Sequence, residues 1–254
     1  MVRRVLERLT RGLVLRRRLP ARFGGDPIFV SPDARLGFLR WDLERAADGL
    51  FGWAEEFVQP GDVVWDVGAN VGLFTFAAAS RSGPTGQVVA LEADTWLVGL
   101  LRRSAALQSS QRARVDVVPV AVGERVGIAR FNIAARGRAA NFLESARGSS
   151  QTGGIRQTVS VMSVTLDWLL ERLPAPRVLK IDVEGGDLAV LRGAERILSG
   201  VQPIILVEVG RAISQAVSEL LHAHGYTLFD LENRHLGPIE RASYNTLARP
   251  ANRG

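Results

Sequence analysis

Two short stretches carry residue types at spacings that can do chemistry. The first, Val63 to Gly72, reads VVWDVGANVG and passes from an apolar strand pattern into a turn punctuated by glycines and then a helix pattern. Gly68 lets the backbone pass close to a ligand, Asn70 tolerates a left-handed turn, and Gly72 allows tight packing where the helix begins. Amides at the start of that helix face whatever polar group is bound. The spacing is Gly-x-Asn-x-Gly, not the Gly-x-Gly-x-x-Gly of dinucleotide sites, so a cofactor with an adenosine and an amino-acid moiety fits better than a pyrophosphate. Glu92 follows Gly72 by 20 residues at the end of the next strand pattern, where an acid clamps ribose hydroxyls. Asp66, Gly68, Asn70, Gly72 and Glu92 form the expected cofactor set, with ordinary strand-end carboxylates as the alternative for Asp66 and Glu92.

The second stretch, LKIDVEGG from Leu179 to Gly186, alternates so that Lys180, Asp182 and Glu184 share one face at the carboxyl end of a strand. Ligands bind at that end in open α/β sheets. Lys180 is the only lysine among 32 basic residues, which suggests a position where a guanidinium would not serve. The carboxylates can orient a hydroxyl, accept its proton or, with Glu208 on the next strand, hold a divalent cation. A buried Lys180–Asp182 pair with a structural role only is the competing reading. Asp182 is the expected base, with Lys180 and Glu184 in support; spacing leaves the cation open.

These residues need a framework, and the hydrophobic periodicity supplies one. Helix patterns over Trp41 to Val58, Leu73 to Ala79, Asp94 to Leu107, Thr165 to Leu173, Leu188 to Leu198 and Ile213 to His224 alternate with strand patterns. The strands are Val63 to Val67, Gln87 to Leu91, Val115 to Val122, Arg177 to Asp182 and Pro203 to Glu208. Tyr226 to Leu231 and Tyr244 to Ala248 read as a closing antiparallel hairpin. The alternation predicts a doubly wound, mostly parallel α/β sheet. Between Ile128 and Val164, two strand patterns flank a Gly-, Ser- and Arg-rich stretch, 134–154, that reads as a substrate lid or a plain flexible insertion.

Composition bounds the function. A chain of 254 residues with 46% hydrophobic content can bury one α/β core. The absence of cysteine excludes disulfides and thiolate metal sites and makes the cytoplasm the expected location. No apolar run reaches membrane-spanning length. Charge is concentrated at the amino terminus: residues 1–22 hold eight arginines against Glu7 alone, whereas the rest is nearly neutral. A nucleic-acid-binding face on the folded body is therefore not expected. Residues 1–40 read as a basic arm and 41–254 as the domain. Val2, Val5, Leu6, Leu9 and Leu13 fall at helical spacing among the arginines, a pattern compatible with peripheral contact to an anionic membrane, with an acidic partner, or with packing on the domain. His222 and His224 are two apart on a helix and cannot share a face, and His235 lies in the last loop, so no histidine base is expected.

DVGANVG at 66–72, Glu92, VSVMSVTLDWLL at 159–170, LKIDVEGGDLAVLRGA at 179–194, PIILVEVG at 203–210 and YNTLARP at 244–250 together resemble the FkbM-type methyltransferases. The resemblance covers roughly residues 55–250. It implies a seven-stranded class I methyltransferase fold, S-adenosylmethionine as cofactor, and an oxygen acceptor on a small molecule, sugar, glycan or glycolipid, or natural product. Two positions depart from the family pattern. Ala93 and Asp94 follow the ribose acid where proline is usual, and Arg102, Arg103 and Ser104 stand where an asparagine is expected. Two other classes remain: a nucleic-acid methyltransferase and a non-catalytic binding protein on the same fold. The first is disfavoured because Asp182 is followed by Val183, Glu184 and Gly185 rather than by two prolines and an aromatic residue.

Overall fold

The computed structural model describes residues 2–47, 49–146 and 152–251, with side chains placed from Leu6 onward. The amino-terminal segment contributes α1 (Val2–Leu9), β1 (Leu15–Arg18) and β2 (Pro27–Val30), the two strands pairing antiparallel. Then follow α2 (Leu50–Phe57), β3 (Val63–Val67), α3 (Leu73–Ser82), β4 (Gln87–Leu91), α4 (Thr95–Ala105) and β5 (Arg114–Val118). An insertion carries β6 (Ala121–Val122), β7 (Gly127–Ala134), β8 (Phe142–Leu143) and β9 (Ile155–Val164). The chain returns through α5 (Leu166–Leu170), β10 (Val178–Ile181), α6 (Asp187–Arg192), β11 (Ile204–Glu208) and α7 (Ser214–Ala223). It closes with β12 (Tyr226–Asp230), β13 (Pro238–Ile239) and β14 (Asn245–Pro250).

The described residues form a large sheet in the order β13-β12-β14-β11-β10-β3-β4-β5. From β11 to β5 all neighbours are parallel, and β14 enters antiparallel between β11 and β12. This is the class I methyltransferase arrangement, with the two-residue β13 added at one edge. The central strands are buried on both faces, which is why they read as continuous apolar runs. Alternation then divides them between two cores. Val64, Ala90, Val178 and Leu206 pack with α2, α3 and α4 on one face. Trp65, Val89, Leu179, Ile181 and Ile205 pack with α5, α6 and α7 on the other. Asp66 and Lys180 occupy core-facing positions of the first face, in register with each other on β3 and β10.

Several boundaries differ from the sequence expectation for identifiable reasons. The helix expected over Trp41 to Val58 is only α2 plus a short 3₁₀ turn, because Gly49 at φ 86° breaks it. The strand expected over Val115 to Val122 divides at Pro119, which has no N–H to donate: β5 stays in the large sheet and β6 joins β9. The helix expected over Leu188 to Leu198 stops after Arg192; Gly193 follows, where a Cβ would lie 2.3 Å from Gly123 O. Residues 15–40, assigned to an arm by charge, belong to the body: Phe23, Ile28 and Val30 are fully buried in the same core as Phe74 and Leu101. No helix among the described residues is long and apolar enough to cross a membrane.

Candidate active site

The site begins where β3 ends. Gly68 (φ 78°) and Asn70 (φ 53°) turn the chain in left-handed conformations, and Gly72 (φ 89°) starts α3. A Cβ on Gly68 would lie 1.9 Å from the Asp182 carbonyl oxygen, so only glycine lets the β3 and β10 ends approach this closely. On Gly72 a Cβ would lie 2.5 Å from the Phe76 ring and 2.7 Å from Leu101, so Gly72 serves the packing of α3 on α4. The Asn70 side chain accepts the Val71 amide at 2.8 Å and holds the turn. Glu92 ties this turn to the one after β4: its two carboxylate oxygens accept the Asn70 and Asp94 amides, each at 2.8 Å. Burial raises the Glu92 pKa to about 7, opposed by those two hydrogen bonds.

A cavity of about 720 Å³ opens at this end of the sheet. Gly68, Asn70 and Glu92 line one side; Asp182, Glu184, Glu208 and Tyr244 line another. Tyr244 donates its hydroxyl to Glu208. Burial and that carboxylate push the Tyr244 pKa above its ordinary value. Trp53 and Leu50 give the cavity an apolar wall. Beside it, sharing Ala93 and Phe131 in its wall, lies a separate narrow recess of about 40 Å³ also lined by Val122, Phe142 and Leu143.

Three expected site residues stand behind the wall and do not line the cavity. Asp66 is fully buried; its Oδ2 accepts Thr75 Oγ1 at 2.6 Å and its Oδ1 pairs with Lys180 Nζ at 3.1 Å. Lys180 also lies 3.4 Å from Asp182 Oδ2 and donates to Gly68 O at 3.2 Å. Burial opposes the ammonium charge, but Asp66 and Asp182 outweigh it and hold the Lys180 pKa above its ordinary value. Asp66 and Lys180 therefore hold Gly68 and Asp182 from behind the cavity wall rather than lining the cavity, where the sequence reading sets them as a cofactor-binding and a catalytic residue. Gly72 is set back with them. Asp182, Glu184 and Glu208 share the cavity, yet among the described residues no three His, Asp or Glu side chains are gathered to hold a metal ion. His222 and His224 make packing bonds at the far end of α7, to Tyr226 O and Leu220 O.

Sequence reasoning missed two groups. Asp187, at the start of α6, is buried, accepts the Val183 amide at 3.1 Å, and has its pKa raised to about 8 by burial. The second group is a part-buried ionic network on the Glu92 side of the cavity, with buried carboxylates and half-buried arginines. Arg138 pairs with Asp33 at 3.0 Å and Asp94 at 2.5 Å, Arg156 pairs with Asp33 at 3.0 Å, and Asn141 donates to Asp94 at 2.9 Å. Arg138 also lies over the Trp96 ring, 4.6 Å from its centroid. Residues 136–141 of the 134–154 stretch, read from sequence as either a substrate lid or a plain flexible insertion, line the cavity and are pinned by this network. Residues 147–151 of that stretch lie outside the described residues. The arginine-rich composition and the Asp94 departure were visible signals, but nothing local pairs positions 33, 94 and 138.

Sheet order, the glycine turn and the acid at the end of the second strand define the class I methyltransferase fold. Within that class, the Methyltransferase FkbM domain matches residues 66–228, and the chain belongs to this family. It is similar to the hexuronic acid methyltransferase AglP of Haloferax volcanii, 26% identical over 171 residues, covering 65% of this chain and 64% of that protein. The chain thus spans less than two thirds of that relative's length. Among solved structures it is similar to the FkbM methyltransferase of Methylobacillus flagellatus, with TM-score 0.48, 15% identity, and coverage of 78% of this chain and 50% of that one. It is also similar to precorrin-6y C5,15-methyltransferase of Geobacter metallireducens, with TM-score 0.45, 16% identity, and coverage of 80% and 84%.

Proposed function

We propose that the protein is an S-adenosylmethionine-dependent O-methyltransferase acting on a hydroxyl of a sugar or sugar-containing acceptor. The observation that carries this reading is one cavity joining the Gly68–Asn70–Glu92 cradle to the wall of Asp182, Glu184, Glu208 and Tyr244. The residues fit the cofactor: Gly68 leaves backbone space that a Cβ would fill, and Glu92 keeps lone pairs for two ribose hydroxyls beyond its two amide bonds. The apolar recess beside Ala93 and Phe131 offers a face for a flat ring. When bound, the cofactor supplies a methyl group on a sulfonium leaving group, so the protein's main task is alignment. Asp182 is the cavity carboxylate placed to orient the acceptor hydroxyl and take its proton as the new bond forms. Lys180, 3.4 Å behind it, holds that carboxylate in place. Glu208, fixed by Tyr244, and Glu184 add acceptors suited to a polyhydroxylated ligand, and the name of the Haloferax relative supports a sugar.

The test incubates the protein and its Asp182→Asn variant with methyl-labelled S-adenosylmethionine and a fractionated extract of the source cells. Label in the carbohydrate fraction, lost in Asp182→Asn while S-adenosylhomocysteine still binds, is the expected result. Label only in nucleic acid would overturn the acceptor class, and absence of S-adenosylhomocysteine binding by the unmodified protein would overturn the cofactor.

A further inference from the structure

The described side chains of α1 and of the turn after it, residues 6–13, are arranged inside out. Inward lie Glu7 and, just beyond the end of α1, Thr10, both buried, while Leu6, Leu9 and Leu13 face solvent, Leu9 at 78% exposure. A helix that packs on its own domain buries the apolar stripe instead. The same segment ends on a second exposed apolar group: Trp41 is 84% exposed, beside exposed Leu39, and is stacked on Arg17 of β1 at 4.4 Å from the guanidinium carbon. Around these side chains Arg8, Arg11, Arg16 and Arg18 are exposed. The acids of this surface are neutralised: Asp42 pairs with Arg45 and Glu44 with Arg22. Arg11 donates to Ala135 O at 2.9 Å and Glu7 lines the large cavity, so α1 lies at the cavity's edge.

We infer that the amino-terminal segment docks the protein on an anionic lipid surface, with Leu6, Leu9, Leu13 and Trp41 entering the interface and the arginines meeting the headgroups. Exposed leucines and a tryptophan ringed by arginines match that boundary in both polarity and charge. An acidic protein partner would satisfy the charge but gives no reason for an outward row of leucines beside buried Glu7 and Thr10. Docking there places the cavity mouth beside the membrane. On the methyl-transfer reading, the acceptor is then one presented at that surface, such as the headgroup of a glycolipid.

The test is co-sedimentation of the full chain, without cofactor or acceptor, with vesicles of phosphatidylcholine alone or mixed with phosphatidylglycerol. Sedimentation with the mixed vesicles only, reduced by salt, is expected. Leu9→Asp and Leu13→Asp should each weaken partitioning about tenfold. Arg8→Ala and Arg16→Ala should each weaken it about fivefold. Unchanged thermal unfolding shows that these exposed substitutions leave the fold intact, and a blue shift of tryptophan emission that disappears in Trp41→Phe places that side chain in the interface. No binding to the mixed vesicles, binding indifferent to the leucine variants, or equally tight binding to a soluble polyanion would overturn the docking. Because no methyl transfer is measured, its failure is separable from failure of the proposed activity.

Discussion

Lys180 is buried between Asp66 and Asp182, and its worth shows when one partner is removed. In Lys180→Met the fully buried Asp66 keeps only its Thr75 hydrogen bond, so the variant should lose about 3–5 kcal/mol in a urea titration. Adding Asp66→Asn removes the stranded charge and should recover much of that loss. A double variant no more stable than Lys180→Met would show that the ion pair is not what the lysine supports. Glu92 makes a prediction of opposite kind. Its pKa, raised to about 7, means that the folded protein holds a proton the unfolded chain releases at lower pH. Its contribution to stability is therefore most favourable below the ordinary glutamate range, declines as pH rises toward about 7, and is flat above. Ribose hydroxyls need the ionised form as acceptor, so S-adenosylhomocysteine affinity should move the other way. Calorimetric titrations from about pH 8 to about pH 5.5 should show affinity falling below neutrality, and Glu92→Gln should bind weakly with a flatter profile. A wild-type affinity constant over that range would remove Glu92 from the ribose site.

At the scale of elements, residues 136–141, which roof the cavity beside Glu92, are held by charge pairs between segments far apart in sequence. Arg138 reaches Asp33 ahead of α2 and Asp94 at the start of α4. Arg138→Met leaves two buried carboxylates short of a partner, although Arg156 still serves Asp33 and Asn141 still serves Asp94. A loss of about 2–3 kcal/mol is expected, below the usual cost of breaking a buried pair because of those remaining partners. Deuterium uptake at the amides of residues 134–141 should rise in the same variant, since Arg138 and Ala139 bond Asp33 O and Ala34 O through their own amides. Unchanged uptake would mean that the roof is held by those backbone bonds alone. This network also marks where sequence reading stopped. The β3 turn and α3 were legible because periodicity and glycine chemistry act over a few residues, and Gly68, Asn70 and Glu92, singled out on that basis, line the cavity. Alternation also placed Lys180 and Asp182 together, but it could not tell a side chain lining the cavity from one packed behind it, because that depends on the depth of Thr75 and Asp66 in a different helix and strand. The pairing of 33, 94 and 138, and the insertion of β14 between β11 and β12, are contacts between distant segments that no local pattern encodes.

At the scale of the whole molecule, the amino-terminal segment divides into two parts with different physical roles, although its charge runs without a break. Residues 15–40 complete the core. Phe23 lies 5.3 Å from Phe51 in ring centroids, Ile28 and Val30 are fully buried, and Phe29 donates its amide to Ser104 on α4 at 2.8 Å. Among residues 6–13, whose side chains are described, the polar contacts with the body run through Glu7, 4.0 Å from Arg136 Nε, and the Arg11 bond to Ala135, while Leu6, Leu9 and Leu13 face outward. Two truncations should therefore differ sharply. Losing a buried Phe and two buried β-branched side chains costs about 2–5 kcal/mol each, comparable in sum with the roughly 5–15 kcal/mol that holds a domain folded. Deleting residues 1–30 should accordingly abolish the cooperative transition. Deleting residues 1–13 should leave a cooperative urea transition within about 2 kcal/mol of the full chain, because among residues 6–13 only Glu7 and Thr10 are buried. If the shorter deletion also unfolds the protein, α1 is part of the core and its exposed leucines require another explanation. If the longer deletion still folds cooperatively, the β1–β2 hairpin is an accessory and the core closes without Phe23. A shorter deletion that folds, keeps S-adenosylhomocysteine affinity and loses only vesicle binding would assign the two parts of the segment to separate tasks, one holding the cofactor side together and the other choosing where the molecule works.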